Sequence, residues 1–228
     1  MASDLLGLTR LLQLASPTLP VGAYSYSQGL EYAIEDRIVT DAVTAERWIR
    51  DVLEFSVGSF ELPLLSRMLD SLADGDDAAF LKWNALFRAG RETAELRAET
   101  LQMGHALTTL LRDLAICNLE KLAALQSKGA LTLPAAYAIA ADAMKIEHES
   151  TLTGYVWSWL ENQVMAALKA VPLGQSAGQR MLMGIGAGLP ATVQRAIRLD
   201  DDELTNFAPG LAIASSRHET QYSRLFRS

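Results

Sequence analysis

The chain has 228 residues, of which 50% are hydrophobic and 21% charged, and it carries 20 Lys and Arg against 27 Asp and Glu. This length and apolar content suffice for one domain with a core, and they exclude a chain that is disordered throughout. The net charge of -7 disfavours general nucleic-acid binding, which needs a surface that neutralises phosphates. Because Cys117 is the single cysteine, an intramolecular disulfide and a thiolate-rich zinc site are excluded.

The first residues lack the basic start and continuous apolar core of a secretory signal. The alanine-rich stretch 130–144 is interrupted by Pro134 and Asp142, and no other stretch is long and apolar enough to span a bilayer. We therefore expect a protein without membrane segments in a reducing, cytoplasmic setting.

Apolar residues recur at helical spacing from the amino terminus onward. The first stripe predicts a helix that buries Leu5, Leu8, Leu12 and their neighbours Leu11 and Ala15. An extended linker follows at 16–22, where two prolines and a glycine interrupt the pattern.

The middle of the chain contains further start and stop signals. Asp76 or Asp77 is expected to cap a helix by accepting hydrogen bonds from free backbone N–H groups. Arg91 and Glu95, four residues apart, are predicted to pair on a helix surface. Thr132 followed by Pro134 predicts another helix start.

Two more stripes support a wholly helical fold. One falls on residues 103, 107, 110, 111 and 114, and the other on residues 156, 160, 164, 168 and 171. No alternating run predicts a strand. We expect one compact all-α domain over residues 1–228, with about eight to ten helices of ordinary length and a carboxyl-terminal tail at 215–228.

Few residues suggest catalysis or tight metal binding. The three histidines, His105, His148 and His218, lie in no recognisable triad, and there is no phosphate-binding loop. His105 is expected to pack within the core, and His148 to lie on a solvated helix face. The glycines at 184–188 favour close helix packing over a dinucleotide site, because no strand precedes them.

Two segments suggest a binding surface. The polar side of the helix at 156–171 is either solvated or faces a partner, and Trp157 and Trp159 cannot both lie on its buried side. The tail at 215–228 combines three arginines with Tyr222, Leu225 and Phe226. It docks into a partner's groove, packs back on the acidic surface of its own chain, or frays as chain termini often do.

Four segments, which together span nearly the whole chain, resemble the urease accessory protein UreF family. They are LLQLASPTLPVGAYSYSQGLE at 11–31, RETAELR at 91–97, GYVWSWLENQVMAALKAVPLGQ at 154–175 and SRHETQYSRLFRS at 216–228.

The resemblance implies an all-α, dimeric and non-enzymatic maturation factor. Members of this family bind the accessory protein UreD (or UreH), and this complex recruits the GTPase UreG to apo-urease for assembly of the nickel centre. No cofactor is expected to bind tightly, and nickel is expected to be handled by the complex.

The resemblance also assigns partner-binding roles to twelve positions, and Glu31 is in addition a candidate for a nickel path. Ser27 and Glu31, four residues apart, are expected to point toward a partner from one helix face. No role is transferred to residues 113–150. The partner-binding positions are Tyr24, Ser27, Gln28, Glu31, Lys169, Pro172, Gly174, Gln175, Arg217, His218, Tyr222 and Arg224.

Three other functions stay open from the residues alone. A nickel-storage or sensor protein would need tight binding by few His and Cys residues. An enzyme would need a convergent acid and base that the sequence does not display. The third function, a generic helical interaction module, remains if the resemblance of the motifs to the UreF family is misleading.

Overall fold

A computed structural model describes residues 5–228, and every regular element in that range is helical, which confirms the all-α prediction. The α-helices are α1 Leu5–Leu14, α2 Leu30–Glu35, α3 Ala42–Val52, α4 Leu62–Ala73, α5 Asp77–Ala89, α6 Ala94–Asp113, α7 Leu119–Lys128, α8 Leu133–Met144, α9 His148–Ala170, α10 Gln175–Gly186, α11 Leu189–Arg198 and α12 Pro209–His218.

Helices α3 and α4 form one continuous helix, because the residues between them, Leu53–Glu61, adopt a π-helical conformation. Counted this way, the described residues contain ten helices of ten residues or more, in agreement with the predicted number. Short 3₁₀ turns at Ala23–Ser25 and Asp201–Glu203 lie in the connections.

Helix α9 is the central element of the fold, and α1, α2, α4, α10 and α11 all pack against it. Its predicted stripe is confirmed, since Val156, Leu160 and Val164 are completely buried. Of the two neighbouring tryptophans, Trp159 is buried and Trp157 is partly exposed, as the helical spacing requires.

Helix α8 is almost entirely buried between α4 and α6. Its alanines leave little side-chain volume, so the neighbouring helices approach closely. Gly104 of α6 marks the closest approach, because a Cβ atom there would lie 2.3 Å from the Leu131 carbonyl oxygen.

Local capping signals were read correctly from the sequence. The Asp76 carboxylate accepts a hydrogen bond from the Ala79 N–H at 2.9 Å at the start of α5. Thr132 occupies the N-cap of α8 and Pro134 its first turn. These features depend on residues within one helical turn, which explains why sequence alone reveals them.

Three local predictions were wrong. Leu5, Leu8 and Leu12 of the predicted stripe on α1 are exposed, because the inner contacts of this helix come from Leu14 and from Leu11, which also belongs to the stripe. His105 is exposed rather than packed. Arg91 does not pair with Glu95, because α5 ends before it at Ala89 and Arg91 points into the core.

Within residues 5–228, no helix is long and apolar enough to cross a membrane. The alanine-rich stretch is instead a core helix of the domain, the packed α8.

Candidate functional site

The carboxyl-terminal tail, residues 215–228, folds back against the segment at 11–31, which we call the amino-terminal motif. The Ser27 N–H donates to the Ser228 carbonyl oxygen at 2.7 Å, and the Arg227 N–H donates to the Ser25 carbonyl oxygen at 2.8 Å. Phe226 and Ser228 are buried. Of the three arrangements left open for the tail, the structure therefore shows the one in which it packs on its own chain.

Glu31 of α2 holds the backbone of the tail. Its Oε1 accepts from the Leu225 N–H at 2.6 Å, and its Oε2 accepts from the Phe226 N–H at 2.9 Å. Glu31 itself is only 7% exposed. Because the buried Glu31 carboxylate accepts hydrogen bonds from two backbone N–H groups of the tail, these bonds replace water at the charge and fix the position of the tail.

His218, at the end of α12, lies between two carboxylates. Its Nε2 is 3.1 Å from Glu31 Oε2, and its Nδ1 is 2.7 Å from Glu95 Oε2. Because each ring nitrogen lies within hydrogen-bond distance of a carboxylate oxygen, Glu31 and Glu95 together fix the orientation of the ring. Arg224 also contacts Glu95, with its Nη1 donating to Oε1 at 2.6 Å.

A second buried network joins the amino-terminal motif to the interior. Gln28 donates to Glu99 Oε1 at 2.7 Å and accepts from Trp159 Nε1 at 2.8 Å. The Ser228 hydroxyl donates to Glu99 Oε2 at 2.7 Å. Burial raises the pKa of Glu99, although the charge of Arg91 and these hydrogen bonds partly offset the effect.

Arg91 and Glu61 form an ion pair in the core. The Arg91 Nη2 lies 2.6 Å from Glu61 Oε1, and both side chains are at most 5% exposed. Tyr155 donates its hydroxyl hydrogen to Glu61 Oε2 at 3.0 Å. Burial alone lowers the pKa of Arg91, but the Glu61 and Glu99 carboxylates outweigh it and raise that pKa.

Outside these networks, side chains from three distant segments meet at the surface. The Lys169 ammonium of α9 lies 5.9 Å from the centre of the Tyr24 ring and 5.6 Å from that of Phe226. Tyr24 and Met165 are exposed beside it, and Tyr222 lies on the exposed part of the tail. We call Tyr24, Met165 and Lys169 the composite surface, because these three side chains also line one pocket.

The remaining predicted residues are exposed at the same end of α9 or on the tail. Pro172 and Gly174 lie in the turn between α9 and α10, Gln175 is the first residue of α10, and all three are exposed. Arg217 is an exposed residue in the last turn of α12.

Metal-ligating side chains do not converge in the part of the chain that the structure describes, since no group of three or more His, Cys, Asp or Glu residues is placed to hold an ion. His148 instead lies 3.2 Å from the Ser66 hydroxyl oxygen and 3.4 Å from an Asp70 carboxylate oxygen. Cys117 is a half-buried free thiol.

Comparison with known proteins gives the family. A family model described as UreF matches residues 39–186. A urease accessory protein UreF of Azoarcus sp. (strain BH72) is 57% identical over 232 residues, which cover 100% of this chain and 98% of the relative.

The chain belongs to the UreF family.

Other UreF proteins are similar over nearly the same length. The urease accessory protein UreF of Methylobacillus flagellatus is 52% identical over 221 residues, covering 97% of each chain. That of Dechloromonas aromatica is 50% identical over 224 residues, covering 98% of each chain. The whole-length alignments include the amino-terminal motif and the tail, which lie outside the region matched by the UreF family model.

The structure divides the predicted UreF site residues into two groups. Tyr24, Lys169, Pro172, Gly174, Gln175, Arg217, Tyr222 and Arg224 are exposed, whereas Ser27, Gln28, Glu31 and His218 are buried. The expectation that Ser27 and Glu31 point outward from one helix face was wrong, because Ser27 precedes α2 and both contact the tail.

Four charged residues of the UreF fold that hold this site together were not identified as such from sequence. Glu61, Arg91, Glu95 and Glu99 come from the π-helical segment, the α5–α6 connection and α6. The RETAELR segment contains two of them, so the motif carried a signal. Their partners are more than 25 residues away, and no local pattern reveals such pairs.

Proposed function

We propose that this chain is a non-catalytic urease maturation factor, a chaperone for nickel insertion. In this proposal it binds a UreD- or UreH-type accessory protein and recruits the GTPase UreG to apo-urease in the cytoplasm. The observation that carries the proposal is the similarity over the whole chain to proteins named urease accessory protein UreF. The proposal includes a homodimer, in keeping with the family resemblance.

The composite surface supports a role in partner binding. It presents an exposed lysine between two aromatic rings, with an exposed methionine beside it. Aromatic, methionine and cationic side chains are the types that contribute most at protein interfaces. We place the docking of UreG at this surface and the adjacent turn Pro172, Gly174 and Gln175.

The buried residues act indirectly in this proposal. Glu31, His218 and Gln28 fix the tail, and the tail in turn places Phe226 against Lys169. Arg217, Tyr222 and Arg224 present the outer side of the tail to the UreD-type protein. Glu31 would reach a nickel ion only after the tail moves, because both of its carboxylate oxygens already accept hydrogen bonds.

Co-purification with UreD- and UreG-type proteins tests this function. We expect intact protein to form the ternary complex and Lys169→Ala to weaken the recruitment of UreG at least about 5-fold, the loss of roughly 1 kcal/mol at an interface. Lys128→Ala, a change at another exposed lysine, is the matched control and should bind as wild type.

Absence of any complex with intact protein, with or without nucleotide, would overturn the proposed function. Equal recruitment by Lys169→Ala and the control would remove the composite surface from the UreG interface. Size-exclusion chromatography with light scattering measures the proposed homodimer in the same samples.

A further inference from the structure

A cavity of about 190 Å³ lies beneath the composite surface, and nothing in the proposed function uses it. The linker after α1, the middle of α6 and the outer part of α9 enclose it, and Tyr24 and Lys169 stand at its mouth. Its walls are mostly apolar. They include Leu14, Leu19, Val21, Met103, Tyr155 and Trp159.

The inner end of this cavity contains hydrogen-bond donors without partners. Arg91 is 4% exposed, and its Nε–H makes no hydrogen bond. Tyr137 is 3% exposed, and its hydroxyl makes no hydrogen bond of normal geometry. The nearby Ser158 only partly offsets the increase in the pKa of Tyr137 that burial causes. Burial raises the pKa of Tyr137, so its hydroxyl keeps the proton.

The acceptors at the inner end are already in use. Both oxygens of Glu61 are bound by Arg91 and Tyr155, and both oxygens of Glu99 are also occupied. A ligand that completes the hydrogen bonding there must therefore supply an acceptor atom. A buried donor left without one costs roughly 1–3 kcal/mol.

The charges at the inner end favour a neutral ligand. The charge of Arg91 is balanced by Glu61 at 2.6 Å, and burial raises the pKa of Glu99 toward its neutral form. A carboxylate at the inner end would approach Glu61 and would find no free countercharge there, because the other lining cation, Lys169, stands at the mouth. A carbonyl oxygen satisfies a donor without adding a buried charge.

The size of the cavity sets the size of the ligand. An engineered apolar cavity of about 150 Å³ holds benzene, so the cavity beneath the composite surface holds a ring with two or three further atoms. Aromatic walls from Tyr155 and Trp159 suit a flat apolar body. We propose that the cavity binds a small neutral carbonyl compound with a flat apolar body, whose oxygen accepts from the Arg91 Nε–H or the Tyr137 hydroxyl.

Calorimetric titration of the full chain with three related probes tests this site. Acetophenone has the proposed carbonyl and ring, ethylbenzene lacks the acceptor, and benzoate adds a negative charge. We expect acetophenone to bind with one-to-one stoichiometry, and ethylbenzene and benzoate each to bind about 10-fold more weakly, the effect of one hydrogen bond.

Variants locate the binding. Leu19→Trp places a large side chain at the cavity wall and should abolish binding, whereas Leu12→Trp, on the exposed face of α1, should leave it unchanged. Tyr137→Phe removes one donor within a conserved shape, and we expect it to weaken acetophenone severalfold more than ethylbenzene. Circular dichroism verifies that each variant is folded.

Failure of acetophenone to bind intact protein would overturn the site, and equal affinity for ethylbenzene would overturn the carbonyl assignment. Binding that survives in folded Leu19→Trp would place the ligand elsewhere. If Leu19→Trp does not fold, unchanged affinity and an unchanged preference for acetophenone over ethylbenzene in Tyr137→Phe would overturn the Tyr137 contact and assign the carbonyl oxygen to the Arg91 Nε–H.

Discussion

Glu99 is the buried carboxylate at which α6, the amino-terminal motif and the tail meet. Its two oxygens accept hydrogen bonds from Gln28 and Ser228. Burial raises the pKa of Glu99 above its ordinary value of 4.5. At pH values between 4.5 and the raised pKa, the folded chain therefore holds a proton that the unfolded chain has lost. Folding is thus linked to proton uptake at this residue.

This linkage gives a prediction for Glu99→Gln. As pH rises from 4.5 toward the raised pKa, the Glu99 contribution to the free energy of unfolding falls, by about 1.4 kcal/mol for each unit between the two pKa values. Glutamine keeps an acceptor for Gln28 and offers an amide donor to Ser228, so this part of the pH dependence should disappear.

Urea unfolding at pH 5 and pH 8 measures the Glu99→Gln effect. The decline in the free energy of unfolding between the two pH values should be smaller in Glu99→Gln than in wild type. Glu92→Gln, at an exposed position, is the control and should follow wild type. Identical pH profiles for all three proteins would contradict the raised pKa of Glu99.

At the scale of elements, the close contact of α6 with the segment that leads into α8 depends on Gly104. A Cβ atom at this position would lie 2.3 Å from the Leu131 carbonyl oxygen and 2.7 Å from the Thr132 carbonyl carbon. Both obstacles are backbone atoms, which cannot move aside without shifting the helices. Glycine is therefore required by packing rather than by its own φ and ψ.

We expect Gly104→Ala to lower the free energy of unfolding by about 1–3 kcal/mol, the usual cost of overpacking. Chemical denaturation of Gly104→Ala and Gly129→Ala measures this. Gly129 has open space at its Cβ position, so its substitution should have little effect. A Gly104→Ala protein as stable as the Gly129→Ala control would show that α6 can move away from Leu131 freely.

The tail and α2 are joined by the Glu31 carboxylate. Glu31→Gln replaces one acceptor oxygen with an amide that faces a backbone N–H of Leu225 or Phe226. Hydrogen bonds to charged groups contribute roughly 1.5–3 kcal/mol, so those two amides should exchange hydrogen about 10- to 100-fold faster.

Hydrogen exchange followed by NMR measures the Glu31→Gln effect residue by residue. Glu46→Gln removes the carboxylate from an exposed ion pair with Arg50 and should leave the tail amides unchanged. Unaltered exchange at Leu225 and Phe226 in Glu31→Gln would contradict the assigned role of Glu31.

At the scale of the whole molecule, the tail is part of the folded domain. It contacts the amino-terminal motif, α2 and α6, and Phe226 belongs to the main hydrophobic core. Removal of the tail is therefore expected to destabilise the fold as well as to change the surface. Residues 216–228 pack against the amino-terminal motif and hold it against the domain.

Deletion of residues 226–228 removes Phe226 from the core. It also removes the Ser228 carbonyl oxygen, which accepts from the Ser27 N–H, and the Ser228 hydroxyl, which donates to Glu99. We expect a loss of about 3–5 kcal/mol in the free energy of unfolding, the cost of removing a buried phenylalanine side chain. Leu225→Ala, at a position that is 73% exposed, should change it by less than about 0.5 kcal/mol. Equal unfolding midpoints for the two proteins would show that the tail is dispensable for the fold.

Sequence alone predicts the helical class, the stripes on α6 and α9, the caps of α5 and α8, and, through its motifs, the family. Each of these depends on residues close in the chain, where helical geometry fixes which side chains share a face. Lys169 could be located in the same way, because it lies opposite the buried stripe of α9 and is exposed.

Three features depend on contacts between distant parts of the chain. They are the outward face of α1, the partner of Arg91 and the path of the tail. Glu31 contacts residues near the end of the chain, and Arg91 contacts Glu61 rather than the nearby Glu95. An ion pair forms with whichever partner folding brings into contact, and burial then strengthens it. Sequence spacing carries no information about such contacts, so the buried half of the site became visible only in the folded chain.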